Sequence, residues 1–279
     1  MILLEHMVKQ GKDSMIELNK IYNEDCLLTM KRMDSESVDM VLTSPPYDNL
    51  RNYNGFRFDF ESIARELFRV LKCNGVIIWV VGDSVIDGSE SCTSFKQALF
   101  FREIGFKVHD TMIYEKSNTT FPDKSRYQNL FEYIFCISKG RPKTFNPILE
   151  KTNPKYYKKP NSSSGRQKDG TLEKFKYEIN KPTKIHGNIF RYNVGFMLSS
   201  NEKLAFEHPA TFPEQLAFDQ IKTWSNQNDI VFDPFMGSGT TAKISIMLKR
   251  NYLGSEISKE YFDLINRRIN NFNSQPYLF

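Results

Sequence analysis

Ile230-Val231-Phe232-Asp233-Pro234-Phe235-Met236-Gly237-Ser238-Gly239-Thr240-Thr241 is the stretch that decides the fold. Its apolar start, Ile230–Phe232, reads as a buried strand that Asp233 ends. Gly237 and Gly239 permit a tight turn, and Thr240 opens a helical pattern running to Lys249. Glycine suits such a turn because positive φ costs it little and no side chain keeps a ligand from the backbone. The unit continues into a strand over Tyr252–Glu256, so Glu256 closes the next strand 23 residues after Asp233. An acid there can accept hydrogen bonds from both hydroxyls of a ribose, as in dinucleotide sites. A lone Gly-x-Gly is commonly structural. The spaced strand–turn–helix–strand–acid unit is a nucleoside site.

The residues also narrow the nucleoside. Ala242 stands where a dinucleotide fingerprint has its third glycine, and no Gly-Lys-Ser/Thr follows, so the phosphate-cradling loop of nucleotide hydrolases is absent. Asp233 at the loop mouth would repel a pyrophosphate and suit a ligand with positive groups and no phosphate. S-adenosylmethionine, with its ammonium and sulfonium, meets that description.

Outward from this unit, strands and helices alternate. Met15–Tyr22 reads as a strand, Asn23-Glu24-Asp25 as its exit, Cys26–Met33 as a helix and Val38–Leu42 as the next strand. Ile63, Ala64, Leu67, Phe68 and Leu71 recur at helical spacing over Phe60–Leu71, and Asn74-Gly75 is expected to end that helix. Val76–Val81 is the continuous apolar run of a strand buried on both faces. Thr93–Ile104 is helical with Gly105 as its stop, while Lys107–Tyr114 and Tyr127–Ser138 are strand-rich. From Gly140 to about Ser200, repeated prolines and the run Asn161–Gly165 break the rhythm. A helix with Pro213 at its start, Pro213–Trp224, restores it, and a helix over Glu260–Asn270 ends it. This order predicts an α/β fold, a Rossmann-like, doubly wound, mostly parallel sheet. It is one domain in two stretches, 1–139 and 201–279, with a loop-rich insertion at 140–200.

At 279 residues, 40% hydrophobic and 25% charged, the composition is that of an ordinary globular protein. No run approaches a membrane span and Met1–Leu4 is too short for a signal segment. Cys26, Cys73, Cys92 and Cys136 are scattered without metal spacing, so no metal site is expected, and a cytoplasmic location with free thiols is the expectation. The net charge of +5 is unevenly spread. Lys139–Arg191 holds 14 Lys or Arg against four acids, a surplus of +10 that leaves −5 for the rest. Such a segment suits a polyanion, although charge runs are often only solvated loops.

Thr43-Ser44-Pro45-Pro46-Tyr47 follows the strand Val38–Leu42, which again places it at a strand end, where open α/β sheets bind ligands. Two consecutive prolines fix φ and remove donors, leaving carbonyls that only accept. Ser44 adds an oxygen and Tyr47 a flat face for stacking. Alkylating an aromatic amine calls for such a loop. The nitrogen lone pair is delocalised into the ring, and acceptors aimed at its protons favour a more tetrahedral nitrogen and stabilise the charge that develops.

These residues carry a resemblance. Thr43–Tyr47 resembles motif IV, and Asp233–Thr240 motif I, of the amino-group DNA methyltransferases, in the order of the β class: chemical motif first, insertion, then cofactor motif. Asn23-Glu24-Asp25 resembles motif III, with Glu24 where a glycine is usual. His208-Pro209-Ala210-Thr211-Phe212-Pro213 resembles motif X, and Gly75–Trp79 motif VI. The resemblance covers nearly the whole chain. It implies a seven-stranded sheet, S-adenosylmethionine as donor, and residues 140–200 as a target recognition region on double-stranded DNA. It also implies a flipped target base, since an exocyclic amine inside a duplex cannot reach a buried sulfonium. Ser44, Pro45, Pro46 and Tyr47 are then the catalytic candidates. Asp25, His208, Thr211, Phe212, Asp233, Pro234, Phe235, Gly237, Ser238, Gly239, Thr240 and Glu256 are the candidates for the cofactor. A restriction-modification role would add a cognate restriction endonuclease and a homodimer to the partners to be tested.

Alternatives are weaker. Cytosine-C5 chemistry needs a Pro-Cys nucleophile that is absent, and metal-dependent deamination lacks its ligands. Protein glutamine methyltransferases share a Pro-Pro-Tyr loop, usually with Asn first and the cofactor motif upstream. A catalytically inactive DNA-binding protein would need a broken active loop, and both loops are intact. Within the family Ser-Pro-Pro-Tyr leans toward cytosine N4, with adenine N6 as the alternative.

Overall fold

A computed structural model describes residues 16–46, 58–117, 125–152, 160–178, 182–208 and 213–274. They fall in two compact units, one of residues up to Asn146 together with Asn188 onward, the other Pro147–Gly187. The larger unit is built on a sheet of strands β1 (Lys20–Tyr22), β2 (Val38–Thr43), β3 (Leu71–Val81), β4 (Lys107–Lys116), β5 (Phe131–Ser138), β6 (Ile189–Tyr192), β7 (Ile230–Asp233) and β8 (Asn251–Ser255). Their order across the sheet is β1-β8-β7-β2-β3-β5-β4-β6. All neighbours run parallel except β5, which is antiparallel to both β3 and β4. This is the doubly wound, mostly parallel architecture expected, with one strand beyond the seven implied.

The apolar runs fold this way because both faces of the central strands are covered. Along β3, Ile77, Trp79 and Val81 face one core and Val76, Ile78 and Val80 the other. The first core receives helices α1 (Cys26–Arg32), α2 (Phe60–Val70) and α3 (Thr93–Glu103) through Met30, Leu67 and Phe101. Trp79 lies fully buried there, edge-on to Phe101, and its indole N–H donates to Gln97 Oε1 at 2.8 Å. The second core receives α4 (Glu214–Trp224) and α5 (Thr240–Met247) through Leu216, Ile221 and Ile244. A third, smaller cluster seats α6 (Lys259–Ser274) through Ile265 and Ile269.

Two details depart from the sequence reading. Asn74-Gly75 does not stop the helix; α2 ends at Val70, and the dipeptide lies inside β3. Asn74 has φ of 65° and its N–H donates to Lys139 O at 2.6 Å, while the β2–β3 register slips between Val38 and Met40. A Cβ on Gly75 would stand 2.8 Å from the Asp39 carbonyl oxygen, so the close backbone approach at this bulge requires glycine. The second departure is β6, inside the span read as loop-rich. It pairs in parallel with β4, from Ile189 opposite Ile113 to Tyr192 opposite Lys116. Buried Tyr192 anchors it by donating to Asp219 Oδ2 at 3.0 Å.

The smaller unit is likewise less irregular than its composition suggests. Leu149–Lys151 pairs antiparallel with Thr183–Ile185, and Pro160–Arg166 with Leu172–Glu178. The latter hairpin turns at Gly170, whose φ is 85°, with Asp169 accepting from Thr171 N at 2.9 Å and its hydroxyl at 2.7 Å. No helix among the described residues is long and apolar enough to cross a membrane.

Candidate active site

Because β2, β7 and β8 are parallel neighbours, their C-terminal ends open on one edge of the sheet, the edge where such folds bind ligands. β7 delivers Asp233 and then the turn in which Gly237 and Gly239 take φ of 54° and 81°. Both sit in the left-handed region that favours glycine, and both are closely approached. A Cβ on Gly239 would stand 2.8 Å from Ile265, and one on Gly237 would stand 3.3 Å from the His208 ring. Buried His208 thus closes over the turn, its ring 4.3 Å from that of Tyr261. Ser238 and Thr240 are buried with their hydroxyls 3.2 Å apart. Phe235, after Pro234, packs edge-on against Phe58 at 5.6 Å.

Glu256 sits just past β8 and reaches back to the turn. Its Oε2 accepts from Gly237 N at 2.8 Å and its Oε1 from Ser258 N at 2.9 Å. Burial pushes its carboxyl up to about 7, partly offset by those backbone donors. Its own N–H donates to Tyr22 O at 2.9 Å, tying the end of β8 to the end of β1. Asn23 reinforces that tie, its amide donating to Glu256 O at 2.8 Å and Ile257 O at 3.3 Å. Two residues on, Asp25 caps α1, its Oδ1 accepting from Leu27 N at 2.7 Å.

Asp233 does not lie at the mouth of the loop. It is 1% exposed, and its carboxylate is turned onto the protein. Oδ1 accepts from the Thr43 hydroxyl at 2.7 Å and from Phe235 N at 3.0 Å, and Oδ2 from the Thr241 hydroxyl at 2.7 Å. Burial raises its carboxyl to about 6 against the pull of these donors. A carboxylate so enclosed is a brace between loops and is not placed to repel a pyrophosphate. The Ser44-Pro45-Pro46 segment begins at the other end of that brace. Ser44 and Pro46 are half-buried and Pro45 is buried.

Beneath the turn lies a cluster that the sequence did not disclose. Arg268, 2% exposed, donates from Nη1 to the Ser238 carbonyl, and its Nε and Nη2 lie 3.0 Å from Glu202 and Glu214. Lys243 completes the set at 2.7 Å from Glu202 and 2.9 Å from Glu214, and Ser200 Oγ donates to Glu214 at 2.6 Å. Burial pushes the Glu202 carboxyl upward, and Lys243 with Arg268 outweighs it, leaving its pKa below the ordinary value. The cluster joins α4, α5, α6 and the segment leading to His208. Asp25, His208, Asp233, the turn and Glu256 are described residues. Tyr47, Thr211 and Phe212 lie outside them.

The residues present fit a nucleoside with an uncharged sugar. Glu256 holds two acceptor oxygens at a strand end beside the glycine turn, and Ser255 Oγ is buried without a hydrogen-bond partner. A parallel sheet with a glycine turn and an acid at adjacent strand ends defines a Rossmann-like nucleoside-binding protein. Residues 38–267 match the family N6_N4_Mtase, described as DNA methylase, and the chain belongs to that family. It is 52% identical over 238 residues to the orphan methyltransferase M.BamHII of Bacillus amyloliquefaciens, covering 85% of this chain and 90% of the relative. Among solved structures, it resembles the cytosine-N4-specific PvuII DNA methyltransferase with a TM-score of 0.66 at 19% identity, over 95% of this chain and 89% of that one. The M1.HpyAVI–SAM complex is similar with a TM-score of 0.56 at 25% identity, over 89% and 98%.

Proposed function

We propose that this DNA methylase transfers a methyl group from S-adenosylmethionine to the exocyclic N4 of a cytosine flipped out of double-stranded DNA. The observation that carries the reading is the 2.7 Å bond from Thr43 to Asp233, which joins the root of the Ser-Pro-Pro-Tyr loop to the root of the glycine turn. Acceptors for an amine and a seat for a nucleoside thereby share one edge of the sheet. Gly237, Gly239, Glu256, Asp25 and His208 would hold the donor, with Thr211 and Phe212 completing the seat. The donor supplies a methyl group made electrophilic by its sulfonium. Ser44 and the proline-flanked carbonyls accept from the amine's protons, and Tyr47 stacks on the base. Acceptors fixed before the reaction stabilise the charge that develops on nitrogen without reorganising.

Within the same family adenine N6 is the second reading, because the matching family spans both amines and either can donate to these oxygens. The basic stretch at 139–191 would follow the phosphate backbone, which carries no base information by itself. A cognate endonuclease and a second copy of the chain are further proposed partners. Incubating the protein with radiolabelled donor and DNA, then digesting the DNA to nucleosides, tests the reading. Label in N4-methylcytosine is the expected result. Label in N6-methyladenine transfers the conclusion to the second amine, label in protein moves it to a protein methyltransferase, and no label sinks the reading.

A further inference from the structure

We infer that Thr43 is a positioning residue of the transfer step, its hydroxyl holding the chemical loop in register with the cofactor turn through Asp233. The inference rests on the methyl-transfer reading and concerns how the two loops are kept at a fixed separation. The β2–β7 ladder pairs Met40 with Val231 and Val41 with Phe232. Past that pairing the side chains of Thr43 and Asp233 bridge the two strand ends at 2.7 Å. Thr43 is fully buried and is the residue immediately before Ser44.

The far side of the same carboxylate takes the Thr241 hydroxyl at 2.7 Å, and Thr241 lies in the first turn of α5, directly behind Gly239. Phe235 N, inside the turn, donates to the Oδ1 that Thr43 uses. One buried carboxylate therefore fixes the chemical loop, the turn and the helix that follows it. Its donors are two hydroxyls and one peptide N–H shared between its two oxygens, so the link holds the three segments at short, fixed separations. Positioning at this level matters because reacting atoms must approach in line, and a misplacement of about 1 Å can cost on the order of 10²-fold in rate.

The test uses the full chain with Thr43→Val, which keeps the shape and removes the donor, Thr43→Ser, which restores it, and Thr241→Val, which unbinds the same carboxylate on the cofactor side. Single-turnover methyl transfer to DNA, calorimetric affinity for S-adenosylmethionine and thermal midpoint are measured on each. Thr43→Val is expected to lower the single-turnover rate by roughly 30- to 100-fold while its donor affinity stays within about 3-fold of the parent. Thr43→Ser is expected to return the rate to within about 5-fold, and Thr241→Val to show its larger effect in donor affinity. A Thr43→Val protein with the parental rate overturns the inference. So does one whose donor affinity falls in step with its rate, or a Thr43→Ser protein no faster than Thr43→Val. If Thr43→Val does not fold, Thr43→Cys takes its place, with a rate loss of at least about 5-fold expected and a parental rate decisive against. An unmodified chain that binds the donor yet methylates no DNA would instead overturn the proposed function, which keeps the two failures apart.

Discussion

The two units of the chain are held together by opposite means. In the larger one, parallel strands are buried on both faces, and charged groups beside the glycine turn are enclosed and matched, as with Arg268 against Glu202 and Glu214. In Pro147–Gly187 the pairing is antiparallel and local, and the residues whose exposure is described, among them Leu149, Leu172 and Ile185, are largely open to solvent. The first arrangement encloses its polar groups with specific partners, as positioned chemistry requires. The second leaves its outward residues open to exchange, which is what a surface that follows DNA would need. Substitutions in the larger unit should therefore remove stability or turnover, and those in the smaller one should tune affinity alone.

The sharpest way to break that contrast is Arg268→Ala. Removing one partner from a buried ion cluster leaves Glu202 and Glu214 poorly compensated and the Ser238 carbonyl without its donor. A loss of about 3–5 kcal/mol in denaturant unfolding is expected. Arg268→Lys should recover only part of it, since a point charge cannot reach all three acceptors with a planar fork. A stability change below about 0.5 kcal/mol, the range of ordinary surface sites, would mean the cluster is a solvated ornament.

Next in size are the losses expected at the Ser-Pro-Pro-Tyr loop and at Glu256. Ser44→Ala should lower kcat by about 10²-fold or more, the effect of removing one preorganised hydrogen-bonding group, with donor affinity largely spared. Glu256→Ala should do the reverse, weakening the donor by about 10- to 100-fold in a calorimetric titration, as loss of hydrogen bonds to a charged group implies. Loss of donor affinity as the main effect of Ser44→Ala would exchange the roles assigned here.

Glu256 also gives the site a pH dependence. Its carboxyl is pushed up to about 7 and that of Asp233 to about 6, from ordinary values of 4.5 and 3.8, in both cases chiefly by burial. The folded chain then keeps protons that the unfolded chain has released, so these groups lower stability as pH rises from about 4 to about 7. Ribose hydroxyls donate best to an ionised Glu256, so donor affinity should rise through about pH 7 and level off above it. Glu256→Ala should flatten that rise. A wild-type affinity that is constant from pH 6 to 8, measured in a single buffer series, would show that the acid does not meet the sugar.

The same contrast explains what could be read without coordinates. The unit from Ile230 to Glu256 was legible because each signal is local: an apolar run, two glycines, a helical period, an acid at a fixed distance. Asn74-Gly75 misled because that dipeptide marks a helix stop and a β-bulge equally well, and only the approach of Asp39 to Gly75 distinguishes them. Arg268 was invisible for another reason. An arginine among Asn266, Arg267 and Asn270 looks like part of a solvated helix face, and its partners lie 54 and 66 residues away. Asp233 reads from sequence as an acid at a loop mouth and is instead buried, since sequence gives a carboxylate's position along a strand and not the direction in which it faces.

The smallest expected effect probes the second unit. Lys168 and Lys174 lie on and beside the Pro160–Glu178 hairpin, where both are exposed, and neither belongs to the cluster that supports the turn. Replacing both with Ala should leave unfolding within about 0.5 kcal/mol of the parent, as for ordinary surface sites. If they track phosphates, DNA affinity should fall and the slope of log K against log salt should become shallower by about 1 for each lysine, because each neutralised phosphate releases counterions. The maximal methylation rate at saturating DNA should not move. An unchanged salt slope would assign the basic surplus of residues 139–191 to solvation, and a fall in maximal rate with intact affinity would tie this hairpin to the chemistry that the contrast places in the larger unit.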